Sequence, residues 1–407
     1  EGSTLSADRF VRVCVRKRPL FPHETAQGEF DVITCLPGRV VVHDARMHPD
    51  MRHMFMNHVD FVFDEVFGEE TGNSDVYLST ARDLVRAVSQ GVSSGTVMCY
   101  GQTGSGKTFT MSSIYERVAS DMFALVGERP VSVCFVELLG DNCFDILNAG
   151  APCNLSTGAD GSVHPYPCVE VPVSEPAELK GLIDMAAKLR ATAATGVHDG
   201  SSRSHACCRI FVQGDGTETC LTLVDLAGTE HRIDSAEHNA ERQKEGAKIN
   251  ASLAALKECI RATAAKAKFV PFRRNRLTQL LRGCFAGEHA HPTVIIATVS
   301  PSSKDTEHSL NTLRHACIMD GQGESKAGES THLTGGAVTS ENLGEVDVTK
   351  IARERIAAKK KAAPPERPLG KAAPPAHQAK QSNTSRRSAL DKRCLTRLPP
   401  HLSEAIA

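Results

Sequence analysis

The octapeptide GQTGSGKT at residues 101–108 constrains this chain more than any other feature. It follows an apolar run, Thr96–Tyr100, that reads as a strand, and Lys107 opens a helical pattern. Gly101, Gly104 and Gly106 therefore fall in a strand-to-helix turn. Glycine lets backbone N–H groups crowd a phosphate, and a helix N-terminus adds partial positive charge. In that setting the pattern predicts a grip on a nucleotide's phosphates, with Lys107 reaching the outer ones and Thr108 holding Mg²⁺. Such a loop serves switches, pumps, syntheses and motors alike, so the rest of the chain must say what the grip is for.

Two further segments fit the same site. LTLVDLAGTE (221–230) is an apolar strand ending in Asp225 and followed by a glycine. Asp225 is placed to hold Mg²⁺ through water, and the Gly228 N–H to sense the terminal phosphate. GSSRSH (200–205) supplies hydroxyls and a guanidinium. Alone it is an ordinary polar loop; beside the other two segments it reads as a second switch.

Short apolar runs at Phe10–Val15, Thr96–Tyr100, Val131–Leu139, Cys207–Val212, Leu221–Asp225 and Thr293–Val299 predict strands. Helical patterns cover Asp75–Gln90, Lys107–Ala119, Glu178–Ala194, Ala240–Ala265 and Leu310–Ile318. The alternation predicts an α/β P-loop fold, with a mostly parallel or mixed central sheet and helices on both faces. The 407 residues, 41% of them hydrophobic, allow a sizeable core. The 14 cysteines include no Cys-x-x-Cys. Cys14, Cys99, Cys134 and Cys220 lie inside apolar runs, which predicts reduced thiols in a cytosolic compartment and no disulfide frame or zinc site. No apolar run approaches the ~18 residues of a membrane span, and no basic-then-apolar leader precedes the first strand.

The net charge of −1 hides an asymmetry. Residues 321–407 carry 15 Lys+Arg against 9 Asp+Glu, while residues 1–320 carry 32 against 39. Gly321–Gly344 is rich in Gly, Ser and Thr and marks a domain end. The Pro/Ala/Lys-rich stretch beyond it lacks apolar periodicity and is expected to be disordered, either a solubilising linker or a tether to an acidic surface. The expected division is a leader at 1–8, a nucleotide-binding domain at 9–320 and a basic tail at 321–407.

Taken together the motifs resemble the kinesin motor domain. They run in family order: RKRP (16–19), GQTGSGKT (101–108), SSRSH (201–205), DLAGTE (225–230), INASLAALKECI (249–260), VPFRRNRLTQLL (270–281) and IIATVSP with NTLRHA (295–316). The resemblance implies an ATPase that binds ATP or ADP with Mg²⁺. Arg16, Arg18 and Pro19 would flank the adenine. Gly101, Gln102, Thr103, Gly104, Ser105, Gly106, Lys107, Thr108 and Phe109 would form the nucleotide cradle. Mg²⁺ would be held by Thr108, Ser202 and Asp225. Ser201 and Ser202 would meet the terminal phosphate or the waters around the metal, with Gly228 as its sensor. Arg203 and Glu230 would pair to link the switches. No side chain is an obvious strong base, so catalysis would come from positioning water and stabilising charge. One departure is His198, where the family has Asn three residues before Ser201.

VRVCVRKRPL (11–20) and ALKECIRA (255–262) look most like the kinesin-13 family, internal motors that take microtubule ends apart. That likeness implies a tubulin-facing surface containing Lys257, Glu258, Arg261, Arg273, Arg274 and Arg276; a plain solvated charged face is the alternative. The family's Lys-Val-Asp tip aligns with His48-Pro49-Asp50, which keeps the acid, so Asp50 is a further tubulin contact. The stretch after Ile318 has no heptads, which argues against lever-arm docking. A walking kinesin, a microtubule-binding adaptor with weakened ATPase and an unrelated P-loop enzyme stay open as alternatives. The expected partner is tubulin, with neither nucleic acid nor membrane, and with homodimerisation through regions outside this chain. The expected location is the cytoplasm and microtubule cytoskeleton, extending to the spindle or nucleus.

Overall fold

Strands form where apolar residues alternate or run together, and helices where they recur every three to four residues. In the computed structural model the chain begins with β1 (Val11–Lys17), α1 (Pro22–Ala26), β2 (Ile33–Leu36), β3 (Arg39–Met47), β4 (His53–Val62) and β5 (Glu65–Phe67). It continues through α2 (Asn73–Thr80), α3 (Arg82–Ser89), β6 (Gly95–Tyr100) and α4 (Lys107–Leu125). Then come β7 (Val131–Leu139), β8 (Asn142–Asp145), β9 (Ala151–Thr157), β10 (Val163–Tyr166), β11 (Val171–Val173) and α5 (Pro176–Ala194). The last elements are β12 (His205–Gln213), β13 (Glu218–Asp225), α6 (Ala240–Ala264), α7 (Arg276–Leu280), β14 (Thr293–Val299), α8 (Thr306–Met319) and β15 (Ala337–Glu345). The structure describes residues 11–158, 161–194, 203–214, 216–229, 240–285, 291–319, 337–345, 347, 350 and 353–354.

The main sheet has the order β10-β9-β8-β7-β12-β13-β6-β14-β1-β5, with β11 on β7. Its parallel part is confined to β13, β6, β14, β1 and β5. From β12 through β10 every pairing is antiparallel. The sheet is thus mixed, and less parallel than alternation of strands and helices alone suggests. The reason is that β7 to β10 succeed one another with no intervening helix, and strands joined so closely pair antiparallel.

All six residues of β6 are buried, as expected of a central strand covered on both faces. On one face Val13, Val15, Met98, Tyr100, Ile295 and Ala297 join a core with Leu253 and Leu256 of α6, Leu277 of α7, and Leu310 and Leu313 of α8. Residues of opposite parity, among them Cys14, Val97, Cys99 and Leu223, are equally buried, and α3 and α4 pack on β6 and β13 from that side. Strand parity therefore sorts the core into two layers.

Three details differ from the sequence expectation. The helical pattern 75–90 is two helices, α2 and α3, parted at Ala81 (φ −101°, ψ −28°). Just before the break the Thr80 hydroxyl donates to the Val76 carbonyl (2.5 Å), a local bond that competes with a regular ladder. The Met/His-rich stretch 46–58, outside the strands read from apolar runs, lies in a hairpin, because β3 and β4 pair antiparallel from Arg39↔Val62 to Met47↔Met54. Residues 337–345, assigned to the domain end and tail, form β15 on the β4 edge of a four-stranded sheet, β15-β4-β3-β2. The Ser340 hydroxyl there donates to Asn57 Oδ1 (2.6 Å). A second unit, 345–407, is described only at residues 345, 347, 350 and 353–354. Among the described residues no helix is long and apolar enough to cross a membrane, and the cysteines are free thiols.

Candidate functional site

The parallel register decides where the motifs meet. Asp225 at the end of β13 lies beside Cys99 of β6, and Arg16 and Lys17 of β1 lie beside Thr298 and Val299 of β14. The phosphate-loop motif therefore leaves β6 between two other strand ends, the usual place for a ligand in an α/β sheet.

The loop itself is built by close approach. A Cβ on Gly101 (φ +148°) would sit 2.3 Å from the Thr298 carbonyl oxygen, so only glycine fits there. Gly106, with φ +102°, turns the chain into the N-terminus of α4. The Ser105 hydroxyl bonds to the Gln102 carbonyl (2.7 Å) and lies 2.6 Å from the Thr298 hydroxyl, which ties the loop to β14. Lys107, largely buried, donates from Nζ to the Gln102 carbonyl (2.9 Å), so its ammonium stays inside the curve of the loop.

Thr108 Oγ1 donates to Asp225 Oδ2 (2.9 Å). Asp225 Oδ1 is buried and makes no hydrogen bond. An ionised carboxylate oxygen left bare in the interior is costly, and a divalent cation beside Thr108 would satisfy it. The residues present thus fit a Mg²⁺ site made by Thr108 and Asp225. Beyond Asp225 the chain stays beside the loop: Leu226 N–H donates to the Cys99 carbonyl and Thr229 N–H to the Gly101 carbonyl, each at 3.2 Å, with Gly228 between them.

Sequence reasoning missed Arg190 and Glu137. Arg190 on α5 reaches Asp225 Oδ2 (3.3 Å), Glu137 Oε1 (3.4 Å) and the Ser204 carbonyl (2.7 Å). Ser204 Oγ in turn donates to Glu137 Oε1 (2.5 Å). One guanidinium thus joins α5, the strand carrying Asp225 and the SSRSH segment. A cavity of about 340 Å³ beside Thr108, Asp225 and Arg190 runs between α4 and α5. Glu137 carried a signal, a lone acid in the apolar run VSVCFVELL. Arg190 carried none.

At the rim, Arg16 donates to Thr110 Oγ1 (3.0 Å) and Asn73 Oδ1 (2.6 Å), and its guanidinium stands 5.3 Å from the ring centre of Phe109, which is 64% exposed. Burial lowers the Arg16 pKa. Arg18 is committed elsewhere: it grips Glu24 with two bonds (2.8 and 2.7 Å), donates to the Gly104 carbonyl (2.8 Å) and reaches Ser300 Oγ (2.8 Å). It is thereby a brace between the loop and α1. Its partner Glu24 is buried, and the Arg18 bond holds the Glu24 carboxyl down at about 2. Pro19 is exposed beside it. Arg203 is half-buried, while Ser201, Ser202, Glu230 and His198 lie outside the described residues.

The charges assigned to a polymer surface fall in two places. On α6, Lys257 and Glu258 are half-buried and Arg261 is exposed. Burial pushes the Lys257 amine down to about 8. Arg274 pairs with Glu258, Arg276 Nε donates to the Asp141 carbonyl (3.3 Å), and exposed Arg273 leans over Phe272. Asp50 lies in another element, the tip between β3 and β4. Its carboxylate accepts from Arg52 N–H (2.8 Å), His53 N–H (3.1 Å) and His53 Nδ1 (2.6 Å). The Arg52 amide, followed by the His53 groups, holds Asp50 below the usual carboxylate range. Asp50 is therefore the organiser of its own turn as well as an exposed acid.

The chain as a whole has relatives among known proteins. The family model described as the kinesin motor domain matches residues 16–320. The chain is 38% identical over 330 residues to the diatom spindle kinesin-1 of Cylindrotheca fusiformis, an alignment covering 80% of this chain and 53% of that protein. It is 39% identical over 321 residues to the kinesin-like protein KIF24 of Mus musculus (75% and 23% covered) and 34% identical over 331 residues to the kinesin-like protein KIN-13B of Arabidopsis thaliana (78% and 48%). It thus spans from about a quarter to about half the length of these relatives. Among solved structures, one described as "Structure of a fast kinesin: Implications for ATPase mechanism and interactions with microtubules" superposes with a TM-score of 0.66 at 27% identity, covering 76% of this chain and 90% of that one.

Proposed function

This chain belongs to the kinesin motor domain family, a family of ATPases, and on that premise we propose that it hydrolyses ATP and couples the turnover to tubulin at microtubule ends. The observation that carries the nucleotide half is the meeting of Thr108 with Asp225, whose second oxygen is buried and bare. The site residues follow. Lys107 and the loop amides from Gly101 to Gly106 bind the phosphates. Arg16 and Phe109 line the rim on which a base can lie, with Pro19 beside them and Arg18 bracing the loop. Ser201, Ser202, Arg203, Gly228 and Glu230 sense the terminal phosphate and orient the attacking water. Mg²⁺, when bound by Thr108, Ser202 and Asp225, supplies charge neutralisation across the outer phosphates.

The chain's own part in the chemistry is positional. The Lys107 ammonium and the α4 N-terminus oppose the growing negative charge, and they are preorganised, so little rearrangement is needed. Arg190 holds Asp225 and Ser204 together, so the two switch segments move as neighbours.

For the polymer half, the exposed Arg261 and Arg273 and the half-buried Lys257 provide cations against an acidic surface, and that interaction weakens with salt. End depolymerisation is supported by the likeness to KIN-13B and by the β3–β4 hairpin, whose tip Asp50 stiffens from within. A motor that grips curved tubulin more tightly than straight tubulin shifts the lattice by that difference, each ~1.4 kcal/mol being tenfold. Translocation along the polymer is the second reading. Its support is β15, a segment beyond the last helix that docks on β4. The proposed location is the microtubule cytoskeleton, the spindle included.

The deciding experiment incubates stabilised microtubules with the protein and ATP, then follows polymer length and displacement. Shortening from the ends supports depolymerisation, and displacement at constant length supports a walker. Binding with no stimulated ATPase would identify an adaptor.

A further inference from the structure

We infer that His205 and Ser252 form the joint through which the phosphate-sensing segments hold α6, the helix that carries Lys257, Glu258 and Arg261. The inference rests on the motor reading above.

Three hydrogen bonds in series make the joint. Ala227 N–H donates to His205 Nδ1 (3.0 Å). His205 Nε2 meets Ser252 Oγ at 2.7 Å. Ser252 Oγ donates to the Ile249 carbonyl (2.7 Å). The directions are forced. Because Nδ1 accepts from a backbone amide, the ring proton is on Nε2, and Nε2–H donates to a serine oxygen whose own proton is already given to Ile249. His205, Ala227 and Ser252 are 3%, 0% and 2% exposed, so water cannot replace a lost partner.

Position gives the series its meaning. Ala227 lies between Asp225 and Gly228, in the segment that follows the terminal phosphate. His205 adjoins Ser204, which Arg190 and Glu137 already tie to Asp225. Ser252 lies within α6, whose rigid rise of about 1.5 Å per residue carries any displacement on to Arg261. A backbone shift at Ala227 must therefore either move α6 or leave buried donors without acceptors. Burial favours the first. A merely structural histidine would satisfy the same bonds, and intermediate position alone does not show coupling, so the test reads coupling directly.

The full chain is compared with Ser252→Ala, His205→Asn and the double variant, by melting temperature, Mg-ADP affinity, ATPase without microtubules and ATPase with stabilised microtubules. Ser252→Ala is expected to keep its ADP affinity and unstimulated turnover while its stimulated kcat falls at least about tenfold. The double variant should lose no more stimulation than the worse single one, because both remove one unit. Stimulation preserved in Ser252→Ala, or losses in the two single variants that simply add, would overturn the joint alone. Unstimulated turnover falling in step with stimulated turnover would make Ser252 a structural residue and also overturn it. A wild-type chain that microtubules fail to stimulate would overturn the functional reading, and the joint with it.

Discussion

Thr108 on α4 and Asp225 at the end of β13 are 117 positions apart in the chain, yet their side chains share a hydrogen bond of 2.9 Å. The parallel pairing of β13 with β6 brings them together, since both motifs leave the sheet at adjacent strand ends. Asp225→Asn keeps the shape and removes the charge. ADP affinity in this variant should become nearly independent of Mg²⁺, and turnover should fall at least about hundredfold, in line with loss of a single electrostatic anchor. A magnesium titration of nucleotide binding checks this.

The loop glycines are not equivalent. At Gly101 a methyl group would meet the Thr298 carbonyl at 2.3 Å, whereas at Gly104 nothing lies within 4 Å. Gly101→Ala should cost about 3 kcal/mol or more through displaced backbone, and Gly104→Ala about 1–2 kcal/mol, from its left-handed backbone alone. Chemical denaturation of the two variants side by side measures the difference.

Acid should destabilise the fold in two stages. Burial pushes His205 down to about 3 and His291 to about 4, so below the usual histidine value near 6.5 the unfolded chain takes up protons that the folded one refuses. Stability from these groups is complete above about 6.5 and declines as pH falls towards 4 and then 3. Glu24, held at about 2 by Arg18, adds a second decline between about 4.5 and 2, on the order of 1–2 kcal/mol after solvent screening. Stability measured from pH 8 to 4 should fall with an onset near 6.5. A flat profile down to pH 5 would show that the two histidines titrate normally.

Lys257 offers a test on the alkaline side. With its amine lowered to about 8, the side chain loses its charge over a range where other lysines keep theirs. Microtubule affinity should weaken between pH 7 and 9, and Lys257→Arg should remove part of that dependence. Cosedimentation at fixed ionic strength, wild type beside variant, provides the comparison.

How much of this was legible in the sequence depended on how local each cause is. β7 and β14 could be read to the residue, because both are mainly apolar runs bounded by turn residues. The phosphate loop and Asp225 were legible for a similar reason, since spacing along one chain encodes them. The β12 ends at His205 and Gln213 were not, because polar residues extend the strand only through pairing with β7 and β13. The short strands β8 to β11 mix polar and apolar residues and form through pairing, β8 and β11 on β7, β9 on β8 and β10 on β9. Arg190 was invisible for the plainest reason: on a helix among alanines it looks like a surface cation, and only the tertiary structure turns it towards Asp225. Strand β15 reads as a Gly/Ser/Thr linker and is a strand only because β4 presents an edge.

The state of the nucleotide at Thr108 and Asp225 should be felt at α6 and its basic neighbours. The most direct measurement is microtubule affinity, by cosedimentation, with Mg-ADP and with a non-hydrolysable ATP analogue at the same salt. The two affinities should differ by at least about tenfold, near 1.4 kcal/mol of coupling. Equal affinities in the two states would contradict it.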